Sequence, residues 1–251
     1  MMEELWVRIE EASLNAWPAP QGMVYDGWLL RFAGGYTKRA NSVNPRYPSR
    51  LYLDQKITVC EAAYVAQGLP CLFRLADPFT PPELCQALVD ARYHGFEPTL
   101  VLGQKIGQMQ QESLGVQSRL MAVDNWIRLR ATLTGTSLSQ WEMHRRILNC
   151  IAPQKALIGL FIDERPVACG MGVVEGHLLG YFSIYTVAEE RRKGYAGMVM
   201  AALDAWGAAY GATYGYLQVE GDNEPALALY DGLGFERCYR YVYFKKKEMG
   251  N

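Results

Sequence analysis

The chain has almost no excess charge, few histidines and no long apolar run, and each shortage removes a class of function. Its 25 basic and 26 acidic side chains leave a net charge of −1 over 251 residues. No global field therefore draws it to nucleic acid or an anionic membrane. The densest basic run, Lys245-Lys246-Lys247, reads as a solvated strand end. Nowhere do the roughly 18 apolar residues needed for a spanning helix run together. The start, MMEELWVRIEE, carries acids where a secretion signal carries positive charge and lacks a continuous apolar segment. The expectation is a cytoplasmic protein with no membrane and no nucleic-acid partner. Six cysteines, at 60, 71, 85, 150, 169 and 238, form no C-x-x-C pair and stand at no zinc-like spacing from the three histidines. Buried free thiols and no metal are expected, and His94, His144 and His177, scattered along the chain, are expected to be structural. Both common phosphate-binding fingerprints are missing: there is no G-x-x-x-x-G-K-[ST], and no G-x-G-x-x-G behind a strand.

What the chain does have is a 50% apolar composition, ample for real cores, and one stretch that organises the rest. Leu178 to Val187 is aromatic and β-branched with almost no charge, the pattern of a strand buried on both faces. Ala196, Val199, Met200, Leu203, Trp206 and Tyr210 then recur at helical spacing. Between them lies Ala188-Glu189-Glu190-Arg191-Arg192-Lys193-Gly194-Tyr195, so this segment is a strand-to-helix turn. Such a turn aims unpaired N–H groups and the positive end of the helix dipole at one spot, where phosphate can sit. Gly194, Ala196 and Gly197 keep the spot open, Arg191, Arg192 and Lys193 add charge, and Glu189 and Glu190 are expected to face solvent.

Taken in order, a helix carrying Leu5, Ile9, Ala12 and Ala16 stops at Pro18 and Pro20. Strands follow at Trp28–Phe32 and about 40–43, around the Gly34-Gly35 turn. A helix runs from about 53 to 67, a strand from 70 to 75, and a helix capped by Thr80 continues to His94-Gly95-Phe96. A strand at 99–102 and another after Gly107 close this half. Asp124 is expected to cap a helix through Leu133, and Ser139 one bearing Trp141, Ile147 and Leu148. Strands at 156–162 and 167–174 then lead into the central strand, and after the loop come a helix, a strand at 213–220, a helix opened by Asn223, and a last strand at 239–245.

Asn223, Ala226, Tyr230, Gly234 and Phe235 stand at fixed offsets after that strand. With Val187 and Arg191-x-x-Gly194-x-Ala196, they resemble the GCN5-related N-acetyltransferase (GNAT) superfamily over about residues 137 to 245. The resemblance implies a mixed α/β sheet whose two central strands splay apart around acetyl-CoA, a co-substrate, with no metal. By position, it implies that backbone groups of Thr186 and Val187 pair with the pantetheine arm, a bulge there turning an N–H toward the acetyl carbonyl. It implies that amides from Arg192 through Tyr195 to Gly197 hold the pyrophosphate, that Asn223 bonds the pantetheine and Ala226 leaves room for it, and that Tyr230 protonates the departing sulfur. For the general base, Glu220 is the nearest acid and Glu175 a weaker candidate.

The first half echoes the second in order and spacing, from Val43 to Phe96 against Val187 to Phe235. It departs where binding needs it. Arg46-Tyr47-Pro48-Ser49 replaces the open loop, and proline removes a donor. The expectation is therefore two tandem GNAT-like units, 1–118 degenerate and 119–251 catalytic, the first walling the acceptor site of the second. The reading is an N-acetyltransferase acting on a small-molecule or peptide amine by direct attack in a ternary complex. A protein of the same fold that binds CoA or senses a ligand without turnover stays open beside it, as do the acceptor and the oligomeric state.

Overall fold

The computed structural model describes residues 2 to 107 and 115 to 247. In chain order the elements are α1 (Met2–Ala16), β1 (Gln21–Tyr25), β2 (Trp28–Phe32), β3 (Val43–Pro45), α2 (Leu53–Ala66), β4 (Leu72–Ala76), α3 (Pro82–Asp90) and β5 (Tyr93–Lys105). They continue with β6 (Val116–Leu120), α4 (Val123–Thr134), α5 (Glu142–Cys150), β7 (Gln154–Ile162), β8 (Arg165–Glu175) and β9 (Leu178–Thr186). The last are α6 (Tyr195–Ala209), β10 (Tyr214–Glu220), α7 (Glu224–Gly232) and β11 (Glu236–Lys246).

All these strands join one mixed sheet in the order β1-β2-β3-β4-β11-β5-β10-β9-β8-β7-β6. Its two parallel pairs, β3 with β4 and β9 with β10, occupy equivalent places in two repeats, β3-α2-β4-α3-β5 and β9-α6-β10-α7-β11. The sheet is thus built from two tandem α/β units of the same element order. They interlock: β11 lies between β4 and β5, while β5 lies between β11 and β10. Each unit's final strand therefore completes the other's half of the sheet.

Alternation of side chains along the strands sorts the core into two layers. Phe182, Tyr216, Tyr239 and Tyr241 face α1, α4 and α5, with Ile9, Trp126 and Ile147 buried among them. Leu179, Tyr181 and Leu217 face the other way, against Val199 and Leu203 of α6. Trp28, Phe73 and Leu75 lie under α2 and α3 on that same side. Each apolar side chain so buried contributes roughly 1.5–3 kcal/mol. One ionic cluster interrupts the first layer: Glu10 of α1 pairs with Arg74 of β4 and Arg46, and accepts from Tyr239 of β11 at 2.7 Å. Arg74 and Arg46 hold the Glu10 carboxyl below the usual range against the opposing effect of burial, which is the largest single influence on it. One helix is thereby pinned to strands from both units.

Several local expectations are corrected. Helix α3 stops at Asp90, because Arg92 takes φ +66° and Tyr93 already pairs with Lys246. His94-Gly95-Phe96 is accordingly strand, and Pro81 rather than Thr80 precedes the helix. Helix α4 begins at Val123 with Asp124 inside its first turn. Ser137, not Ser139, opens the turn before α5, its N–H donating to Gln140 Oε1 at 3.0 Å. The expected strand β2 is borne out, but its hairpin partner β1 was not anticipated. The expected division after residue 118 falls inside β6, every residue of which pairs with β7. Cysteines are free, as expected, but only Cys60 and Cys169 are buried while Cys85 and Cys150 are exposed.

Candidate functional site

Strands β9 and β10 pair only from Leu178 with Tyr214 to Tyr181 with Leu217. Beyond that they part, for two reasons. An extra residue bulges β9 at Ser183 and Ile184 against β8, with Ser183 at φ +53°, and a bulge bends its strand. Meanwhile β10 stays paired with β5 without a break along its full length, Tyr214 to Glu220. The gap opens into a cavity of about 740 Å³ that passes from one layer of the sheet to the other.

At the α6 side of the gap stands the turn singled out in the sequence. The Val187 N–H donates to Val167 O at 3.1 Å and is therefore committed to β8. Because antiparallel ladders alternate, Thr186, opposite Ala168, turns its own N–H and C=O toward the gap. Beyond it the chain takes φ +62° at Arg192 and +85° at Gly194, then enters α6. Among the described residues the amides of Arg192 through Gly197 donate no hydrogen bond to protein, the first helical bond there being Met198 N–H to Gly194 O at 3.1 Å. A Cβ at Gly194 would meet nothing within 4 Å. Free donors, open space and a helix N-terminus fit a phosphate-bearing ligand.

The loop charges are arranged differently from expectation. Glu190 is buried, 6% exposed, and does not face solvent. It accepts from Lys193 at 2.8 Å and Arg165 at 2.6 Å, and these cations hold its carboxyl below the ordinary range. Lys193 is thus a strut of the loop, and Arg191 reaches back to Thr186 O at 3.5 Å. Arg192 remains exposed, with no partner among the described residues.

On the far rim, Asn223 caps α7, its Oδ1 accepting from Ala226 N–H at 3.3 Å. One face of that helix brings Asn223, Ala226 and Tyr230 to the cavity. The Tyr230 ring meets Phe235 edge-on at 5.8 Å, and its hydroxyl makes no hydrogen bond among the described residues. Burial raises its pKa, so it stays protonated at neutral pH. Glu220 ends β10 at the cavity lining, exposed and unpaired among the described residues. Glu175 is elsewhere: it sits opposite Leu178 at the closed end of β9, where Asn15 donates to it at 3.0 Å.

The other mouth of the cavity lies in the layer of α1, α4 and α5, and sequence reasoning did not foresee its residues. The segment between β2 and β3 brings Tyr36, Lys38 and Arg39; α4 and α5 bring Arg130 and His144. The Tyr36 hydroxyl lies 3.0 Å from His144 Nδ1. Burial, and then the Arg130 charge, push the imidazole down to about 3, so it is neutral at physiological pH. Trp17, at 4.9 Å, and Trp141, at 5.2 Å, wall it in. No local signal could have placed these side chains in one site, because they come from segments up to 108 residues apart that only the sheet order brings together.

Among the described residues, no cluster of His, Cys, Asp and Glu could hold a metal ion, and no helix is long and apolar enough to cross a membrane. The family model described as "Probable histone acetyltransferase Rv0428c C-terminal" matches residues 7–244. The Uncharacterized N-acetyltransferase YobR of Bacillus subtilis is 29% identical over 249 residues, 96% of this chain and 98% of its own. A GCN5-related N-acetyltransferase from Kribbella flavida superposes with TM-score 0.70 at 16% identity, over 97% of this chain and 96% of its own. A tandem GNAT protein from the clavulanic acid biosynthesis pathway does so with TM-score 0.67 at 10% identity, over 84% and 76% respectively. At such identities the two solved structures bear on the fold.

Proposed function

The chain belongs to this family of GNAT-type N-acetyltransferases, and from that membership we propose that it transfers acetyl from acetyl-CoA to a primary amine by direct attack within a ternary complex. The observation that carries the reading is the run of undonated amides at the start of α6, set beside a gap in the sheet that ends at Tyr230. Amides of Arg192 to Gly197 hold the pyrophosphate, and Arg192 adds charge. Thr186 offers its backbone N–H and C=O to the pantetheine arm as a neighbouring strand would, while the Val187 amide is engaged with β8. Asn223 bonds the arm from α7, and Ala226 leaves room for it. The bulge at Ser183 and Ile184 turns backbone toward the acetyl carbonyl, where negative charge grows as the amine attacks. Tyr230, protonated and free of other partners, gives its proton to the sulfur. Glu220 takes the proton that an amine of pKa near 10 must shed. The first unit supplies the opposite wall and binds no coenzyme of its own.

Calorimetry with acetyl-CoA, followed by thiol release across a panel of amines, tests the reading. Association at micromolar concentration and acceptor-dependent thiol release are expected. No association at millimolar acetyl-CoA would overturn it. Tight association without acceptor-dependent release would instead support a binding protein that does not turn over.

A further inference from the structure

The acceptor end of the cavity carries an electrostatic demand that the protein leaves unanswered. Its lining holds three cations, Lys38, Arg39 and Arg130, against two acids, Glu97 and Glu220, and His144 adds no charge. Lys38 is neutralised by Glu97. Neither guanidinium has a carboxylate partner among the described residues. Arg130 donates only to the Cys169 thiol at 3.5 Å and to Ser183 O at 3.3 Å. The Arg39 guanidinium donates no hydrogen bond among the described residues and lies near the rings of Trp17, at 5.9 Å, and Phe182, at 5.8 Å. Every buried, unpartnered polar atom among the lining residues is a nitrogen: Arg39 Nε, Arg130 Nε, His144 Nε2 and Gln218 Nε2. Gln218 already accepts from Tyr241 through its oxygen, at 3.1 Å, so its amide N–H groups are what remain. The Arg39 and Arg130 Nε–H groups and the Gln218 amide N–H are desolvated donors without acceptors, which is costly, and a ligand that brings oxygen acceptors and negative charge relieves the cost.

We propose that the acceptor is a small amine carrying a carboxylate, of the amino-acid type, with Arg39 as the counter-ion of that carboxylate. Arg130, tethered to the bulge at Ser183, adds to the field on the same side. The ammonium end turns to Glu220, the one acid of the lining with no cation beside it among the described residues, so the two ends of a zwitterion meet opposite charges. The ring walls of Trp17, Tyr36 and Trp141 favour an apolar body between those ends. The assignment rests on the acetyl-transfer reading above and adds the substrate class to it.

The test compares the free amino acids with their primary amides and decarboxylated amines as acceptors in the thiol-release assay. The best acceptors are expected among the acids, with kcat/KM at least about tenfold above their amides, the scale of one charge-assisted hydrogen bond. Arg39→Gln is expected to erase that difference by raising KM for the acid about 10- to 100-fold, with kcat little changed and the Kd for acetyl-CoA unaltered by calorimetry. Arg39→Lys, which keeps the charge, should recover part of the preference, and an unchanged Tm certifies both folds. Amides or decarboxylated amines that equal the acids, no turnover of any carboxylate-bearing amine, or an Arg39→Gln protein that keeps the preference would each overturn the proposal. Loss of acetyl-CoA association in the wild-type protein would sink the donor reading instead, and the two failures are told apart by that titration.

Discussion

The two units carry the same strand–turn–helix device, and one of them has filled its own. Between β3 and α2 the amides of Arg50 and Leu51 donate to the carboxylate of Asp26 at 3.0 Å, and Lys56 closes on the same carboxylate at 3.1 Å. The Leu51 amide first, then the Arg50 amide and Lys56, hold the Asp26 carboxyl below its ordinary value. Gly27 lets the β1–β2 turn press against this loop, for a Cβ there would stand 2.5 Å from Tyr47 O. Between β9 and α6 the corresponding amides face open space. Other positions differ in the same sense. Strand β4 ends in Ala76 where β10 ends in Glu220, Pro81 precedes α3 where Asn223 caps α7, and α3 has no tyrosine. A helix N-terminus attracts an anion in both units; what decides function is whether the protein supplies that anion itself.

The contrast can be broken most severely by giving the open turn a carboxylate of its own. Gly194→Glu should weaken acetyl-CoA binding by about 100-fold or more, combining roughly 1–2 kcal/mol of left-handed strain with charge repulsion of the pyrophosphate. Calorimetry reads the Kd, and unchanged affinity would remove the turn from the site. Next in size, Tyr230→Phe makes α7 as inert as α3 and should lower kcat by about 100-fold, the low end for a proton donor, since a thiolate already leaves tolerably well. Because burial raises the Tyr230 pKa, wild-type kcat should not fall on the alkaline side until above about pH 10. Unchanged kcat in the variant would dismiss the acid role.

Smaller again, Glu220→Gln gives β10 a neutral end like that of β4. It should lower kcat/KM by no more than about 100-fold, the low end for an acid–base group; an unchanged kcat/KM would exclude Glu220 as base. The smallest catalytic effect is expected from Asp26→Asn. One acetyl-CoA per chain should bind before and after this change, and activity should stay level, but the melting temperature should fall. The carboxyl is depressed in the folded state, so its stabilising effect is complete above the unfolded value of 3.8 and disappears as pH falls through the folded one. The Tm gap between wild type and variant should accordingly close in acid. A second equivalent of acetyl-CoA in the variant would mean that Asp26 alone had kept the first unit empty.

Much of the second unit was legible in the sequence because its signals are local. The central strand, the turn, α6, and the Asn223-to-Tyr230 helix each announce themselves through periodicity, caps or glycine within a dozen residues or so. The repeat was legible too, as an order of elements. Its register was not: Gly95-Phe96 looks like Gly234-Phe235 in isolation, but Gly95 pairs with Phe244 inside the sheet, and tertiary pairing overrides the local pattern. The far wall of the cavity was hidden for the same reason, since Arg39, Arg130 and His144 carry no shared motif. Glu190 misled because a loop acid beside three basic residues ordinarily points outward; here Arg165, from the neighbouring hairpin, makes burial tolerable.

The crossing of β5 and β11 has a consequence for how the molecule comes into being. During synthesis β5 emerges well before β10 and β11, the strands that flank it, and the slot beside β4 must wait for residues 236–246. Neither half can reach its finished shape on the ribosome while the final strand is still in the exit tunnel. Folding of the central sheet is thus a late, joint event, because its neighbouring strands are distant in sequence, and the nascent halves must keep two exposed edges apart until β11 arrives to lock them.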